Sequence, residues 1–205
     1  MKKRLVYLLI LVVAVAFIPT CVFAAGTKVK SNTYFVIKSG KAVYCAANTG
    51  IYKVKLKKNG KPKSKKKLVK MSKKYAYADM IKKGNYLYFL KDAGADSKKA
   101  ICRIKTSGGT VQTLAKMDGM GEYAIKDGKI YYIVSYETDS DGMVTKTNCK
   151  VMNLDGSSKE VTTVEPVQKH KFKNKKGYTI KTPYSNGKIK EILKTPKGKI
   201  TLGTF

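Results

Sequence analysis

From Thr33 onward the chain sets short apolar runs between turn residues, and the alternation keeps a fixed interval. Ile37-Lys38-Ser39-Gly40-Lys41-Ala42-Val43-Tyr44, Ile81-Lys82-Lys83-Gly84-Asn85-Tyr86-Leu87-Tyr88 and Ile125-Lys126-Asp127-Gly128-Lys129-Ile130-Tyr131-Tyr132 place Ile, Lys, Gly and Tyr identically, 44 residues apart. An apolar approach, a glycine turn and an apolar, aromatic exit predict a β-hairpin in each. In the first repeat a third strand, Ile51–Leu56, alternates apolar residues with lysine, the pattern of a half-buried strand. Asn59-Gly60 then turns the chain into a short, charged fourth strand at Leu68–Met71, of the kind that discourages edge-to-edge pairing. The second repeat offers Tyr86–Leu90, Ala100–Ile104 and Val111–Leu114, and the third Ile130–Val134, Cys149–Met152 and Glu160–Val164. A weaker fourth copy keeps Tyr178–Ile180, Ile189–Leu193 and Ile200–Leu202 but lacks the aromatic second strand, as terminal repeats often do.

No sustained helical periodicity follows residue 24. The predicted fold is therefore all-β: about four four-stranded units of about 44 residues, the size of a propeller blade. The repeats run approximately 32–74, 75–117, 121–165 and 170–205. Ahead of them, residues 1–24 have the form of an export signal. Lys2-Lys3-Arg4 precede an almost wholly apolar Leu5–Ile18, and Val22-Phe23-Ala24 places small residues before a cleavage point, leaving 25–205 as the repeat domain. Two rival readings stay open. The apolar stretch is long enough for an uncleaved membrane anchor, and Cys21 is a lipidation candidate without the small residue expected before it.

Composition changes this picture in one respect. The formal charge is +30, and lysine causes nearly all of it, since the only arginines are Arg4 and Arg103. Lysine is a flexible, strongly hydrated point charge, whereas shaped phosphate or base recognition favours the arginine fork. The excess points to diffuse attraction to polyanions or to solubility. After the signal three cysteines remain, Cys45, Cys102 and Cys149, an odd number in apolar strand contexts, which reads as small buried hydrophobes and not a disulfide framework.

The phrases Gly128-Lys129-Ile130-Tyr131-Tyr132, Ile51-Tyr52-Lys53-Val54, Cys102-Arg103-Ile104 and Val111–Leu114 together resemble the domain-of-unknown-function 5050 type of bacterial propeller-like repeat, related in pattern to the low-density-lipoprotein-receptor class of β-propeller. The resemblance covers roughly Asn32 to Leu202. It implies a secreted or surface-attached propeller-like module and brings no catalytic residues with it. The copy number is lower than most propellers have. A four-bladed ring, an open twisted array and a partial ring completed by another chain are all compatible with it.

Candidate chemistry is sparse. His170 is the single histidine, and the chain has no P-loop, no nucleophile elbow and no CxxC or HExxH pattern. The carboxylates are scattered, so no acid–base pair stands out, and the expectation is a protein that is not an enzyme. Glu137, Asp139 and Asp141, with Gly142 following, match the first half of a calcium loop, but Asn148 replaces the closing bidentate Glu. The plain alternative is a polar hairpin loop, with no cofactor. Lys57, Lys58, Lys61, Lys63, Lys65, Lys66 and Lys67 surround the turn between the third and fourth strands of the first repeat. Lys173, Lys175 and Lys176 are placed at the first turn of the fourth repeat, at the same end of the units. Asp92, Asp96, Glu137, Asp139 and Asp141 fall at the opposite end. A lysine-dense end would suit an anionic cell-wall polymer or a membrane surface as partner, and an envelope protein or an oligomer is the assembly alternative. Nucleic acid fits less well, because an exported chain leaves the chromosome behind and strand periodicity accounts for Tyr86 and Tyr88. Without tryptophan, carbohydrate stacking would fall to the 14 tyrosines.

Overall fold

The computed structural model describes residues 28–70, 76–92, 98–118, 121–171 and 176–204. The proposed export signal, Cys21, Asp96, Lys173 and Lys175 lie outside them. Strand β1 (Val29–Tyr34) leads into sheet one, a meander of β2 (Val36–Ser39), β3 (Ala42–Ala47), β4 (Gly50–Leu56) and β5 (Pro62–Lys70). Sheet two repeats it with β6 (Ala76–Lys83), β7 (Tyr86–Asp92), β8 (Lys99–Lys105) and β9 (Gln112–Met117). Sheet three is β10 (Tyr123–Lys126), β11 (Lys129–Thr138), β12 (Val144–Asn153) and β13 (Glu160–Thr162). After β14 (Pro166–Lys171) come β15 (Thr179–Lys181), β16 (Tyr184–Ser185), β17 (Lys188–Thr195) and β18 (Gly198–Thr204). The described residues contain no helix, and none long and apolar enough to cross a membrane.

The fourth sheet departs from the expected four-stranded unit. β15 pairs with β17 at Lys181↔Ile192 and β16 pairs with the same strand at Tyr184↔Ile189, so the two lie end to end and the sheet is three strands wide. Pro183 interrupts the run between them and removes a ladder donor there. Lys176 precedes β15, and the hairpin turn of this unit falls instead at Asn186-Gly187. A second departure is a pair of parallel strands, β1 on β14 from Val29↔Pro166 to Tyr34↔Lys171, attached to sheet two through Tyr34↔Met80.

The fixed 44-residue interval conceals a one-residue slide. Gly40-Lys41 and Gly84-Asn85 form two of the turns, flanked by Ser39↔Ala42 and Lys83↔Tyr86, with only the glycine at positive φ. In the third unit Lys126↔Lys129 flank Asp127-Gly128, with φ of 48° and 74°. Asp tolerates the left-handed region that Ser39 and Lys83 avoid, and two positive-φ residues suit a type I′ turn where one glycine suits II′. Sliding a turn by one residue moves every following side chain to the other face. Tyr131, not Tyr132, therefore takes the place held by Tyr44 and Tyr88.

With that correction the sheets stack in one sense. Tyr44, Ile37 and Ile51 of sheet one pack on Leu87, Phe89 and Cys102 of sheet two. The opposite face of sheet two, with Tyr88, Leu90 and Ile101, packs on Tyr123, Ile130, Tyr132 and Met152 of sheet three. The remaining face of sheet one, Val43, Cys45, Tyr52 and Val54, takes Tyr178, Leu193 and Leu202 of sheet four. The spatial order is four, one, two, three, and no buried apolar cluster joins sheets three and four among the described residues.

One buried polar group sits where β1, β6 and β10 meet. Asp79, 6% exposed and at φ 59°, accepts a 3.1 Å hydrogen bond from Thr33 Oγ1, and its backbone carbonyl accepts one of 2.5 Å from Tyr123 Oη. It stands in the β-bulge between Ala78 and Ile81. Burial, and then the Asp79 charge, push the Tyr123 hydroxyl well above its usual range, so it stays a donor.

Candidate functional site

β5 is the outer edge of sheet one, paired only with β4. Its exposed run Lys63-Ser64-Lys65-Lys66-Lys67 continues from the turn carrying Lys57, Lys58 and Lys61. All seven are exposed, and none forms an ion pair with a described carboxylate. Alternation along the strand splits them. Lys66 Nζ reaches toward sheet two and donates to Ser107 O at 2.8 Å, beside Lys53 Nζ on Thr106 O at 2.9 Å. Lys65 Nζ reaches toward sheet four, to Thr201 O at 2.7 Å and Leu202 O at 2.6 Å. Lys67 Nζ lies 5.2 Å from the centre of the Tyr52 ring. Lys65 and Lys66 thus tie β5 to the neighbouring sheets through backbone carbonyls, whereas Lys67 covers the Tyr52 ring of its own sheet.

The other four differ. Among the described residues the ammonium groups of Lys57, Lys58, Lys61 and Lys63 take no hydrogen bond or ring contact, and the turn beneath them is held by backbone. Lys57 N donates to Lys61 O at 2.8 Å, and Leu56 N to Lys41 O at 2.8 Å, which brings exposed Lys41 to the same end. Beside them Lys53, Lys55, Lys65 and Lys66, with Ser64 and Ser107, line a shallow cavity of about 340 Å³. Lys53 and Lys66 are directly opposed in the ladder, a like-charge pairing that costs stability unless anions neutralise it. Residues 36–70 hold twelve lysines and no carboxylate.

The carboxylates are concentrated in one unit and are not scattered evenly along the chain. Eight of the thirteen lie within 121–165, against five lysines, so sheet three with its loops is net acidic in a chain of +30. The calcium-loop residues belong to the hairpin between β11 and β12. Glu137 pairs with Lys146 at 2.7 Å and accepts from Asn148 Nδ2 at 3.3 Å, contacts that hold its carboxyl below the usual range. Asp139 Oδ1 accepts the amides of Asp141 and Met143 at 3.0 and 2.9 Å, which closes the turn. Among the described residues no three His, Cys, Asp or Glu side chains are grouped so as to hold a metal ion. The geometry is that of a polar hairpin whose first carboxylate faces a lysine.

Cys45, Cys102 and Cys149 are buried free thiols. Burial raises all three, Cys149 to about 11 with help from the Glu165 charge. His170 lies in β14, at Thr33↔His170 in the parallel pair.

Sequence reasoning missed Glu191. It is 1% exposed, and its carboxylate accepts the amides of Asn48 and Thr49, the latter at 2.9 Å, and the Thr49 hydroxyl. The β3–β4 turn of sheet one is thereby clasped to β17. A side chain at Gly203 would collide with Thr49, which fixes glycine there. The sequence signal was available: a single carboxylate standing at the period-two position between Ile189 and Leu193, in a repeat whose other charged residues are all lysine.

No protein-family model matches this chain, and no curated protein matches it. Solved structures do. The chain is similar to an oligogalacturonate lyase in complex with manganese, at 8% identity and a TM-score of 0.45, over 80% of this chain and 50% of that one. It is similar also to a chain of a nidogen/laminin complex, at 17% identity and a TM-score of 0.43, over 80% of this chain and 62% of that one. The chain thus spans half to under two thirds of the lengths of these proteins.

Proposed function

We propose that this is an exported, non-catalytic module of a bacterial envelope, related to the 5050-type repeats, whose four propeller-like units form an open arc. Its lysine edge holds an anionic polymer, such as a cell-wall polyphosphodiester, or an anionic lipid surface. The observation that carries the reading is the segregation of charge. Twelve lysines and no carboxylate occupy 36–70, and Lys57, Lys58, Lys61 and Lys63 project from it with no partner among the described residues.

The magnitudes favour a repeating ligand over a small one. A lysine near an anionic surface contributes about 1 kcal/mol, so four give about 4 kcal/mol, which corresponds to a dissociation constant of about 1 mM. That is weak for a single phosphate and useful only where many anions lie along one strand or surface. Lysine in place of arginine fits the same conclusion, because no planar fork is needed to track a flexible polyanion. The reading requires no metal or cofactor. The test is cosedimentation with purified cell-wall polyanion, and with vesicles containing anionic lipid, at low ionic strength. Binding by the native chain that is lost in the Lys57/Lys58/Lys61/Lys63→Gln variant supports it. Equal sedimentation of both proteins with neutral vesicles would overturn it.

A further inference from the structure

The stack has two unlike ends. In sheets one and two the face bearing Tyr44 or Tyr88 is covered by the following sheet, leaving those rings 4% and 1% exposed. Sheet three presents the same face with Tyr131 in the equivalent place, opposite Val151 in the ladder, and among the described residues no sheet packs on it as the following one. Both are only half-buried, and exposed Glu160 pairs with Val151 at the edge. At the other end sheet four turns one face to sheet one. Its opposite face carries half-buried Ile192 among exposed Lys181, Lys194 and Lys199. Pro183 and Pro196 complete the lining of a broad concavity of about 930 Å³ there. Residues 176–204 hold seven lysines, and their one carboxylate, Glu191, is buried.

We infer that these two end faces pack on each other between copies of this chain, the Ile192 face of sheet four covering the Tyr131 face of sheet three. Three observations choose a second copy as occupant. The step is the one the molecule already makes internally, where the back of each sheet covers the tyrosine face of the sheet before it. The charges are complementary, since the acidic sheet ends the stack at one side and a lysine-bearing sheet ends it at the other. The two faces are different, so the contact is head-to-tail and propagates or closes into a ring. It is also weak. Sheet four is three strands wide. Three strands about 4.8 Å apart and about seven residues long present roughly 300 Å² on each side, so that two such faces fall below the ~1,200 Å² of a stable interface.

The experiment is sedimentation equilibrium of the chain, purified as its host processes it, over a wide concentration range at low and high salt. The expected result is a mass that rises with concentration at low salt and returns to the monomer at high salt. Two end-blocked variants then separate head-to-tail contact from any other. Lys181/Lys194/Lys199→Glu disables the basic end and Tyr131→Glu disables the acidic end, and because both altered faces are then acidic they cannot pair with each other. The triple variant alone stays monomeric, and the two mixed give a dimer that does not grow further. A monomer at every concentration overturns the inference and leaves an unrelated protein as the occupant of these faces. Self-association that survives in the triple variant overturns it as well, because the contact would then not use the sheet-four face. The lysines changed here are not those of the β4–β5 edge, so polyanion binding and assembly fail independently.

Discussion

Replacing Glu191 by alanine removes the one carboxylate that ties sheet four to sheet one. Three donors lose their acceptor: the amides of Asn48 and Thr49 and the Thr49 hydroxyl. A hydrogen bond to a charged group is worth about 1.5–3 kcal/mol. Asn48 is exposed and Thr49 half-exposed, so water replaces part of what is lost, and the lower end applies. Three such bonds at the lower end set the expected loss for Glu191→Ala at about 4–5 kcal/mol, a large share of the ~5–15 kcal/mol that holds a domain of this size. Glu191→Gln keeps one acceptor oxygen without the charge and loses about half as much. The chain has no tryptophan, so urea unfolding is followed by far-ultraviolet circular dichroism with tyrosine fluorescence as a second probe. A double-mutant cycle with Thr49→Val isolates the contact, and the predicted coupling is about 1 kcal/mol or more. A loss under about 0.5 kcal/mol for Glu191→Ala, or no coupling to Thr49, would falsify the assignment of this carboxylate as the clasp.

Other outcomes follow from the same geometry. Asp79→Ala removes the acceptor of Thr33 and puts a β-carbon without a local hydrogen bond at φ 59°, and should cost about 2–3 kcal/mol in denaturant titrations, with Asp79→Asn recovering part of it. Tyr123→Phe leaves the buried Asp79 carbonyl short of a donor and should cost about 1–3 kcal/mol by the same assay, whereas Tyr131→Phe should be neutral. Folding raises the thiol of Cys149 from 9.0 to about 11, so its contribution to stability is complete below pH 9 and is lost as pH rises toward 11. Cys45, Cys102 and Cys149 should therefore label slowly with a thiol reagent at pH 8 in the native protein and readily once it is unfolded; fast native labelling at these three would contradict their burial.

The repeat was legible because hairpins are local. Apolar runs around Gly40, Gly84 and Gly128 carry their turn chemistry within eight residues, and most strands of the first three units overlap the apolar runs that announce them. The exception is β5, expected as a short strand at Leu68–Met71, which begins at Pro62 because its lysine run pairs with β4 without apolar alternation to mark it. What identical spacing hides is which residue of Asp127-Gly128 enters the turn. One aspartate able to adopt positive φ slides the third turn and exchanges Tyr132 for Tyr131 on the face that meets the next sheet. β1 and β14 were not foreseen as partners because their pairing spans over 130 residues and is parallel, and no turn announces it. The lysine cluster was visible as composition, but its division was not. Alternation about β5 sends Lys65 and Lys66 to carbonyls of different sheets, 136 and 41 residues away, and leaves the turn lysines in water. Glu191 shows the converse, since a single carboxylate among lysines looks like surface variation until the turn it receives is in place.

The most direct test of the account is the salt dependence of binding to purified anionic cell-wall polymer, native chain against the Lys57/Lys58/Lys61/Lys63→Gln variant. Surface charges are screened over about 8 Å at physiological ionic strength, so the native affinity should fall steeply as salt rises. The variant should bind more weakly at low salt and with a shallower dependence. Affinity that is unchanged by salt, or the same slope for both proteins, would contradict the lysine edge as the binding surface.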